Sequence, residues 1–421
     1  MKNTQSESVY DVVIVGGGAA GGGVAASLLK RQATLKIAII EPAEQHYYQP
    51  AWTLVGGGTF DVQNSVRPMS ECLPKAAKWI KAAVTTFEPE NNVLHTDQGD
   101  VIQYAQLIVA PGLKINWQAI PGLLETLGEN GVTSNYRFDL APYTWQLVQN
   151  LKSGTAIFTQ PPMPIKCAGA PQKALYLSCS AWEKAGILNN IKVEFNNAGA
   201  VLFGVAAFVP PLMAYMKRYN ATLNFNSTLV EVDGPNKKAW FNVKDAAGTV
   251  NKVEKKFDML HVVPPQCPPD FIKASPMANA DGWLEVNQTT MQHVRYSNVF
   301  GLGDVISAPN AKTLAAVRQQ IVTVAENLLA YRANQPLPTT YYGYGACPLT
   351  VEKGKVVLAE FGYGGTLLPT FKFMNALLPS RFFWFLKQQV FPWIYWNGML
   401  KGHEWLARPS VPTPVKVNES K

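Results

Sequence analysis

Two cysteines that are remote from each other in the chain carry the strongest signal for redox chemistry. Cys167 follows Lys166 and precedes Pro171, and a run of helical composition continues from there to Lys184. Because proline is favoured in the first turn of a helix, we expect the Cys167 thiol to lie near a helix N-terminus. A helix N-terminus and a neighbouring cation both favour the thiolate. The pattern predicts a reactive thiol at Cys167, and the competing interpretation is a small buried apolar side chain.

A second reactive thiol is predicted at Cys347, because the tyrosines and glycines of the segment 341–348 indicate an irregular, tightly placed loop. We expect Cys347 to be the redox partner of Cys167. Cys179 lies in a helical run, Cys267 in a proline-rich loop is the best third candidate, and Cys72 has no informative context. The spacings contain no CxxC pair and no zinc pattern, so we expect neither a metal site nor a structural disulfide framework.

The segment before Cys167 departs from a nucleotide-binding plan. The run 155–159 is strand-like and should lead into a glycine-rich phosphate loop, whose N–H groups approach a pyrophosphate. It leads instead into Gln160, Pro161 and Pro162, and proline has no N–H to offer. We therefore expect the chain to bind one dinucleotide rather than two, with a thiol where a nicotinamide would otherwise arrive.

The dinucleotide site itself is predicted near the N-terminus. An apolar run at 11–15, typical of a buried parallel strand, precedes Gly16, Gly18 and Gly21 in GxGxxG spacing, and a helical run and a second strand lead to Glu41. Gly16 makes the turn, Gly18 lets the pyrophosphate approach, and Gly21 allows close helix–strand packing. Glu41 is placed to bind a ribose hydroxyl. A merely glycine-rich turn is the alternative, but it would not require the whole pattern.

The distant half of the chain indicates which dinucleotide to expect. The segment 299–304 is an apolar strand that ends in Gly303 and Asp304, and a helical run covers 313–327. In two-domain flavoproteins such an aspartate holds the ribityl chain, and the N-terminus of the following helix faces the flavin. The segment 107–112 supplies the strand and turn that return the chain between the domains. These features predict FAD, with helix capping as the alternative role for Asp304.

With these motifs in place, the chain resembles the sulfide:quinone oxidoreductases, and most closely their mitochondrial-type branch. The resemblance covers nearly the whole chain. A generic disulfide reductase has a close CxxxxC pair, which this sequence lacks. The segments that carry the resemblance are 46–50, 166–173, 259–265, 303–304, 312–313 and 347–348.

The resemblance implies a two-Rossmann flavoprotein fold with non-covalent FAD. Its further cofactor contacts carry over to Pro50, Gly303, Asp304 and Lys312. It implies that Cys347 receives the sulfur of hydrogen sulfide as a persulfide, and that Cys167 is freed as the anion beside the flavin. Electrons then pass to ubiquinone or another membrane quinone, and the persulfide sulfur leaves to glutathione, sulfite or sulfide. Glu194 and His261 are candidate general bases, each with a structural role as the alternative.

The C-terminal segment 371–405 is unusually aromatic and basic. Seven basic and two acidic residues lie from 371 to 421. Charged residues make up only 16% of the whole chain, and this segment therefore supplies much of its net charge of +8. Aromatic and basic side chains together suit a bilayer interface, so we predict monotopic binding to membrane lipid. Pro379 and Pro392 are expected to divide the segment into short helices. The alternatives are a flap packed on the protein and a homo-oligomer contact. The resemblance places the quinone on the flavin face opposite the sulfide side, with Phe361 and Tyr363 as candidate contacts.

Composition also excludes several classes. The basic balance comes without an arginine-rich run or a nucleic-acid motif, so nucleic acid is not an expected partner. The uncharged stretch 196–216 contains glycines and prolines and predicts buried strand and turn rather than a membrane span. A short polar leader before Tyr10 resembles neither a secretory signal nor a transit peptide, which favours an unprocessed protein at a bacterial inner membrane. The segment 409–421 is expected to be an extended, mobile end.

These observations predict an α/β protein with two Rossmann-like domains and an amphipathic, membrane-associating C-terminal segment. The FAD domain is expected at 1–115 and 271–335, a vestigial NAD-type domain at 116–270, and the redox loop and membrane region at 336–421. Two other functions remain open. A non-proton-pumping NADH:quinone oxidoreductase would carry a second glycine loop, and a flavin/thiol redox sensor would not turn over.

Overall fold

The computed structural model describes residues 9–411. Residues 1–8 of the polar leader lie outside the described residues, and so do residues 412–421 of the segment where a mobile end was expected. The strands are β1 (Val9–Val15), β2 (Ile37–Ile40), β3 (Gln45–Tyr47), β4 (Val66–Pro68), β5 (Lys78–Ile80), β6 (Val84–Glu88), β7 (Val93–Thr96), β8 (Val101–Val109), β9 (Lys114–Ile115), β10 (Val132–Thr133), β11 (Gly154–Gln160), β12 (Ile191–Asn197), β13 (Thr222–Asn224), β14 (Ser227–Asp233), β15 (Lys238–Lys244), β16 (Val250–Lys256), β17 (Met259–His261), β18 (Gln266–Cys267), β19 (Val299–Gly301), β20 (Gly345–Glu352) and β21 (Lys355–Phe361). The α-helices are α1 (Ala19–Arg31), α2 (Trp52–Gly56), α3 (Met69–Cys72), α4 (Leu140–Asn150), α5 (Ala170–Lys184), α6 (Val209–Arg218), α7 (Asp270–Lys273), α8 (Leu314–Arg332), α9 (Arg381–Phe385) and α10 (Phe391–Trp393).

The largest sheet is built around the two strands that the sequence predicts for the dinucleotide site. Its order is β5-β2-β1-β8-β7-β6, and β19 adds a parallel strand beside β8. β1 pairs in parallel with both β2 and β8. Residues 12–15 of β1 and 37–40 of β2 are buried with residues of α1 and α8 in one hydrophobic core. A parallel sheet buried in this way needs nearly continuous apolar strands, which both strands supply. The predicted α/β fold is confirmed.

The second sheet, of order β10-β17-β11-β12-β13, is parallel throughout and packs against α5 and α6. The antiparallel sheet β14-β15-β16 adjoins it. The segment 196–216 was expected to be strand and turn, but it holds the end of β12 and most of α6. Pro210 and Pro211 do not prevent this helix, because both lie in its first turn, where proline is tolerated. The domain boundaries at 115, 270 and 335 stay predictions.

The hairpin of β20 and β21 corrects one expectation from the sequence. Cys347 lies in a regular strand rather than in a loop, and it stands opposite Ala359. The glycines and tyrosines that indicated a loop end at Gly345, where the antiparallel ladder begins by pairing with Phe361. The sequence therefore signalled the entry to the hairpin, and cross-strand pairing fixed the cysteine itself.

The C-terminal segment from residue 371 onward, called the tail from here on, corrects a second expectation. Pro392 does not divide it into separate helices. Ser380 caps α9 by accepting a hydrogen bond from the Phe382 N–H at 3.1 Å. Helical structure then continues through π-helical turns on both sides of α10 to a 3-10 turn that ends at Lys401. A proline breaks the regular i to i−4 bonding of an α-helix, and a local π-helical turn is one way in which a helix absorbs such a break.

Two glycines on α1 let other elements approach this helix closely. A Cβ atom at Gly23 would lie 2.5 Å from Cδ1 of Ile321 in α8 and 3.3 Å from Cε of Met399 in the tail. A Cβ atom at Gly22 would lie 3.5 Å from Cδ2 of Leu400. The tail thus packs onto the dinucleotide-binding fold.

Within residues 9–411, no helix is both long enough and apolar enough to span a bilayer.

The packing of the tail predicts different costs for two neighbouring phenylalanines. Phe383 is 2% exposed in a cluster with Val356 and Leu358, whereas Phe385 is 53% exposed. We expect Phe383→Ala to lower the free energy of unfolding by about 3 kcal/mol, and Phe385→Ala to change it by less than about 0.5 kcal/mol. Urea unfolding in mild detergent measures both. Equal losses would contradict the burial of Phe383.

Candidate active site

The glycines of the first turn leave room for a phosphate group at one position only. Gly16 has φ +96°, and a Cβ atom there would lie 2.6 Å from the Ala110 carbonyl oxygen. A Cβ atom at Gly21 would lie 1.8 Å from the Gly16 carbonyl oxygen, so close helix–strand packing requires this glycine. A Cβ atom at Gly18 would meet nothing within 4 Å. Open space at Gly18, at the start of α1, fits the approach of a dinucleotide pyrophosphate.

Glu41 is held in place beside this loop. Its Oε2 accepts a hydrogen bond from the Gly17 N–H at 2.8 Å, and its Oε1 accepts one from the Ala43 N–H at 2.8 Å. A carboxylate has about four acceptor positions, so each oxygen keeps a lone pair for a ribose hydroxyl. The position of Glu41 at the end of β2 fits the role predicted for it.

The second half of the predicted cofactor site forms at the end of β19. Gly303 donates its N–H to Oε1 of Gln320 at 2.9 Å, and its φ is +84°. Lys312 is buried and donates to the carbonyl oxygens of Asp304 at 2.7 Å and Ile306 at 2.9 Å. Burial lowers the pKa of Lys312 to about 8. The Asp304 pKa is raised by burial, and Lys312 and Lys166 oppose that rise.

The alternative role for Asp304, a helix cap, belongs to another residue. Thr313 is the N-cap of α8, and its hydroxyl accepts a hydrogen bond from the Ala316 N–H at 3.2 Å. The carboxylate of Asp304 is therefore left for a different partner. Pro50 lies in a 3-10 turn before α2, where Trp52 Nε1 and Thr53 Oγ1 are buried and have no partner within the described residues. Unpaired buried polar atoms of this kind fit a polar ligand beside this turn.

The Cys167 loop is anchored to the cofactor half of the chain through its backbone. The Cys167 N–H donates to the Lys312 carbonyl oxygen at 2.8 Å, and the Tyr136 hydroxyl donates to the Lys166 carbonyl oxygen at 3.0 Å. Cys167 has φ +51°, a left-handed conformation that is costly for a residue with a Cβ atom. Strain of this kind persists only where surrounding contacts enforce it, as these hydrogen bonds do.

The two sequence-remote thiols meet at this loop. Cys347 is 1% exposed, and its thiol lies beside the sulfur of Cys167 in one hydrophobic cluster. The interaction with Cys347 lowers the pKa of Cys167 well below its ordinary value, and Lys173 adds to the effect. The interaction with Cys167, together with burial, holds the pKa of Cys347 well above its ordinary value. The two sulfurs therefore differ in acidity, and the environment of each one sets the difference.

The cation at the thiolate is not the one that the sequence suggested. Lys166 turns away and donates to Oε1 of Gln49 at 2.5 Å. Lys173, which is 3% exposed in the second turn of α5, donates to Sγ of Cys167 at 3.1 Å. A lysine on the buried side of an amphipathic helix was the signal that could have identified it, since such a charge needs a partner.

Lys387 is a second site lysine that sequence reasoning placed only in the basic tail. It is 4% exposed, and burial lowers its pKa to about 7. Lys173 lowers that pKa further, while Cys167 and Cys347 oppose the change. Its charge in turn lowers the pKa of Cys167. The tail therefore contributes a titratable group to the surroundings of both sulfurs.

The residues suggested as general bases have structural partners instead. Glu194 pairs with Lys192 and Lys255, each at 2.6 Å. His261 accepts a hydrogen bond from the Asn135 N–H at 3.0 Å, and burial lowers its pKa to about 3, so the ring is neutral.

The other three cysteines lie in separate elements: Cys72 in α3, Cys179 in α5 and Cys267 in β18. None of the five cysteines of the chain forms a disulfide in this structure.

The two candidate quinone contacts lie in different surroundings. The ring of Phe361 packs edge-on against Phe203, 5.9 Å between centroids, on the side of the hairpin that also carries Cys347. Tyr363 packs edge-on against Tyr341, also at 5.9 Å, and donates its hydroxyl to the Gln288 carbonyl oxygen at 2.6 Å. The structure does not bring these two side chains into one surface.

The tail presents part of its aromatic content outward. Exposed rings include those of Phe373, Trp393 and Trp405, and the rings of Trp393 and Trp405 stack with an interplanar angle of 6°. Phe383, Tyr395 and Trp396 are buried against the protein. Only Trp393 of these outward rings lies in the helical segment that ends at Lys401, and the others flank it. Aromatic rings that face outward around an otherwise buried helical segment are a pattern found at membrane interfaces.

Comparison with known proteins gives a consistent result. A family model for pyridine nucleotide-disulphide oxidoreductases matches residues 10–157. The chain is 43% identical to the mitochondrial sulfide:quinone oxidoreductase of Dictyostelium discoideum, over 91% of this chain and 84% of that protein. It is 37% identical to the mitochondrial sulfide:quinone oxidoreductase of Mus musculus, over 94% of this chain and 87% of that protein. The solved structure of the sulfide:quinone oxidoreductase from Aquifex aeolicus shares the fold, with a TM-score of 0.75 at 20% identity over 92% of this chain and 91% of that chain.

The glycine geometry predicts two different outcomes for alanine. Gly21→Ala forces a methyl group against the Gly16 carbonyl oxygen, so we expect the free energy of unfolding to fall by about 1–3 kcal/mol. Gly18→Ala meets no protein atom, so the fold should keep its stability while cofactor binding weakens. Thermal unfolding and the flavin content after purification measure the two effects. Full flavin content in Gly18→Ala would contradict the predicted phosphate position.

The contact between Lys173 and Cys167 predicts a shift in thiol reactivity. Lys173→Met removes a charge that lowers the pKa of Cys167, so the pKa should rise and less thiolate should be present at neutral pH. Mass spectrometry after timed alkylation of the reduced protein across a pH series measures this. Lys184→Met, an exposed change at the end of the same helix, is the control. An unchanged alkylation profile in Lys173→Met would exclude the ion pair as the cause.

Proposed function

The chain belongs to the sulfide:quinone oxidoreductase family, and we propose that it oxidises hydrogen sulfide to sulfane sulfur at Cys167 and Cys347 and passes the electrons to a membrane quinone. The observation that carries this proposal is the meeting of these two thiols beside Lys173 and next to the residues predicted to bind the cofactor. Lys312 links the two regions, because its side chain contacts the Asp304 carbonyl and its own carbonyl binds the Cys167 N–H.

The family implies a flavin cofactor, and we propose that it is non-covalent FAD. Gly16, Gly18 and Gly21 would form the pyrophosphate turn, and Glu41 would bind a ribose. Pro50, Gly303, Asp304 and Lys312 would hold the flavin half. When bound, the flavin supplies the two-electron acceptance that protein side chains lack.

The thiols carry out the sulfur chemistry. In the oxidised enzyme, Cys167 and Cys347 are bridged through sulfur. Hydrosulfide attacks the bridge on the Cys347 side, a new S–S bond forms a persulfide on Cys347, and the bond to Cys167 breaks. A thiol of low pKa is the better leaving group, and the contacts of Cys167 with Lys173 and Cys347 lower its pKa. The chain thus selects which sulfur keeps the sulfane atom.

The cycle closes in two further steps. An acceptor nucleophile (glutathione, sulfite or sulfide) attacks the outer sulfur of the persulfide and releases Cys347 as the thiolate. Cys167 and Cys347 then rejoin as two electrons leave their sulfurs, and a flavin held at this site would accept these electrons for transfer to ubiquinone or another quinone. The pKa of Lys387, lowered to about 7, suits acceptance of a proton from hydrogen sulfide, since a base is most effective near the working pH. Lys173 and Lys387 also favour an anionic nucleophile at the sulfurs.

We propose peripheral membrane association through the outward rings of the tail and its basic residues. The relatives are mitochondrial proteins by name, which gives the expectation of a bacterial inner membrane no support. The homo-oligomer contact stays a prediction. The NADH alternative is disfavoured because β11 ends at Gln160 and is followed by Pro161 and Pro162, with no glycine loop for a second dinucleotide.

Replacing either thiol tests the mechanism. Cys167→Ser and Cys347→Ser should each keep the flavin, because neither side chain is needed to bind it. Each should lower sulfide-dependent quinone reduction by at least about 10²-fold, since a covalent nucleophile or leaving group is lost. Cys179→Ser, a change within α5 away from the pair, is the control.

Anaerobic stopped-flow absorbance of the flavin, with sulfide or NADH as donor, gives the decisive readout. We expect bleaching by sulfide in the wild type and in Cys179→Ser, and none by NADH. Near-normal rates in both active-site serine variants would overturn the two-thiol mechanism. Bleaching by NADH but not by sulfide would overturn the proposed function.

A further inference from the structure

The β20–β21 hairpin separates two environments, because alternate residues of a strand point to opposite faces. Val357 and Ala359 of β21 share a core with Cys347 and the second parallel sheet. Val356 and Leu358 pack instead against Phe383 and Leu386 of the tail. One face of the hairpin therefore belongs to the thiols, and the other belongs to the segment that carries the outward aromatic rings.

Glu360 lies on the tail side of this partition. It stands opposite Ala346 in the ladder and continues the row of Val356 and Leu358. It is 3% exposed, so a carboxyl group is buried directly behind the strand that carries Cys347. The sulfur chemistry proposed above makes no use of it.

The partners of Glu360 are all neutral. Its carboxyl group accepts hydrogen bonds from the Tyr344 hydroxyl at 2.6 Å, from the Thr370 N–H at 2.9 Å and from the Thr370 hydroxyl at 2.5 Å. Among residues 9–411, no cationic side chain forms an ion pair with it. A buried carboxyl group without a counter-charge is costly, and this cost is usually accepted only where the group has a use.

The arrangement also forms a continuous polar path. Thr370 is exposed to solvent, Glu360 is buried, and the hydroxyls of Thr370 and Tyr344 both donate to the same Glu360 oxygen, Oε1. Tyr344 precedes the strand of Cys347 by a single residue, so the path ends close to the proposed redox site. Hydroxyl and carboxyl groups both donate and accept protons, so the three residues can pass a proton along the path.

Resting on the proposed function, we propose that Glu360 is the proton relay for quinone reduction, taking a proton from solvent through Thr370 and passing it through Tyr344 to a quinone oxygen. The quinone would then bind on the tail side of the hairpin, reached from the membrane. Reduction of a quinone to the quinol takes two electrons and two protons. The electrons come from sulfide, one proton accompanies them, and Glu360 supplies the other.

The transfer is balanced at each residue. A protonated Glu360 donates to the Tyr344 oxygen while the Tyr344 hydroxyl donates to the quinone oxygen, so one O–H bond forms at the quinone as the one at Glu360 breaks. Glu360 is then protonated again through the Thr370 hydroxyl. Phe361 and Tyr363 are not needed for this step, which agrees with their separate surroundings.

Separate measurement of the two half-reactions tests the relay. In Glu360→Gln the side chain keeps its shape and its acceptor oxygen but cannot carry the proton. Flavin bleaching by sulfide should stay within about twofold of the wild type, while reoxidation by a short-chain ubiquinone analogue should slow by about 10²-fold, the usual contribution of a positioned proton donor. The solvent deuterium isotope effect on reoxidation should rise as well. Glu360→Asp should recover part of the rate, and Tyr344→Phe should reproduce the defect.

Glu352→Gln is the matched control, because Glu352 lies in the same hairpin and forms surface ion pairs with Arg218 and Lys355. An infrared difference spectrum on adding the quinone analogue should show a carboxylic-acid band that Glu360→Gln lacks. Wild-type reoxidation in Glu360→Gln would overturn the relay. Slowing of both half-reactions, or slowing with an unchanged isotope effect, would also overturn it and assign Glu360 a positioning role. If wild-type flavin is not bleached by sulfide, the proposed function fails, whatever Glu360 does.

Discussion

The close approach of the Cys347 and Cys167 sulfurs is the interaction on which the rest of the site depends. It joins a strand near the C-terminus to a loop of the second parallel sheet. It also sets the difference between the sulfurs, lowering the pKa of one thiol and raising that of the other. Burial alone would raise the pKa of Cys167, so its lowered value depends on these neighbouring groups. Lys173 supplies the remaining stabilisation by direct contact.

Backbone contacts keep this interaction next to the cofactor half of the chain. The Lys312 carbonyl binds the Cys167 N–H, and the Lys312 side chain binds the loop after Asp304. The left-handed conformation of Cys167 shows that its position is imposed by these contacts rather than by local preference. A thiol held in this way would lose little freedom on forming the proposed bridge to Cys347, which would favour rapid closure of the cycle.

The tail is part of the catalytic fold rather than an attached anchor. Met399 and Leu400 pack at the glycines of α1, and the Tyr395 hydroxyl lies 2.5 Å from Nε2 of the buried His46. Lys387 places a titratable group near both sulfurs from the same segment. One face of the hairpin packs Val356 and Leu358 against the tail, and its other face carries Cys347. The proposed membrane contact and the proposed sulfur chemistry are therefore linked through one compact structure.

The sequence by itself determined the features that depend on local chemistry. The spacing of Gly16, Gly18 and Gly21, the acid at Glu41 and the absence of a second glycine loop follow from residue types at short range, because turns and buried strands have strict local requirements. The predicted reactivity of Cys167 also came from its neighbours. Tertiary structure alone decided which cation contacts that sulfur, that Lys387 comes near it, and that Phe361 and Tyr363 have different surroundings. It also decided that Cys347 is in a strand and that Pro392 does not end a helix. These outcomes depend on packing between residues remote in the chain, and no short-range pattern encodes such contacts.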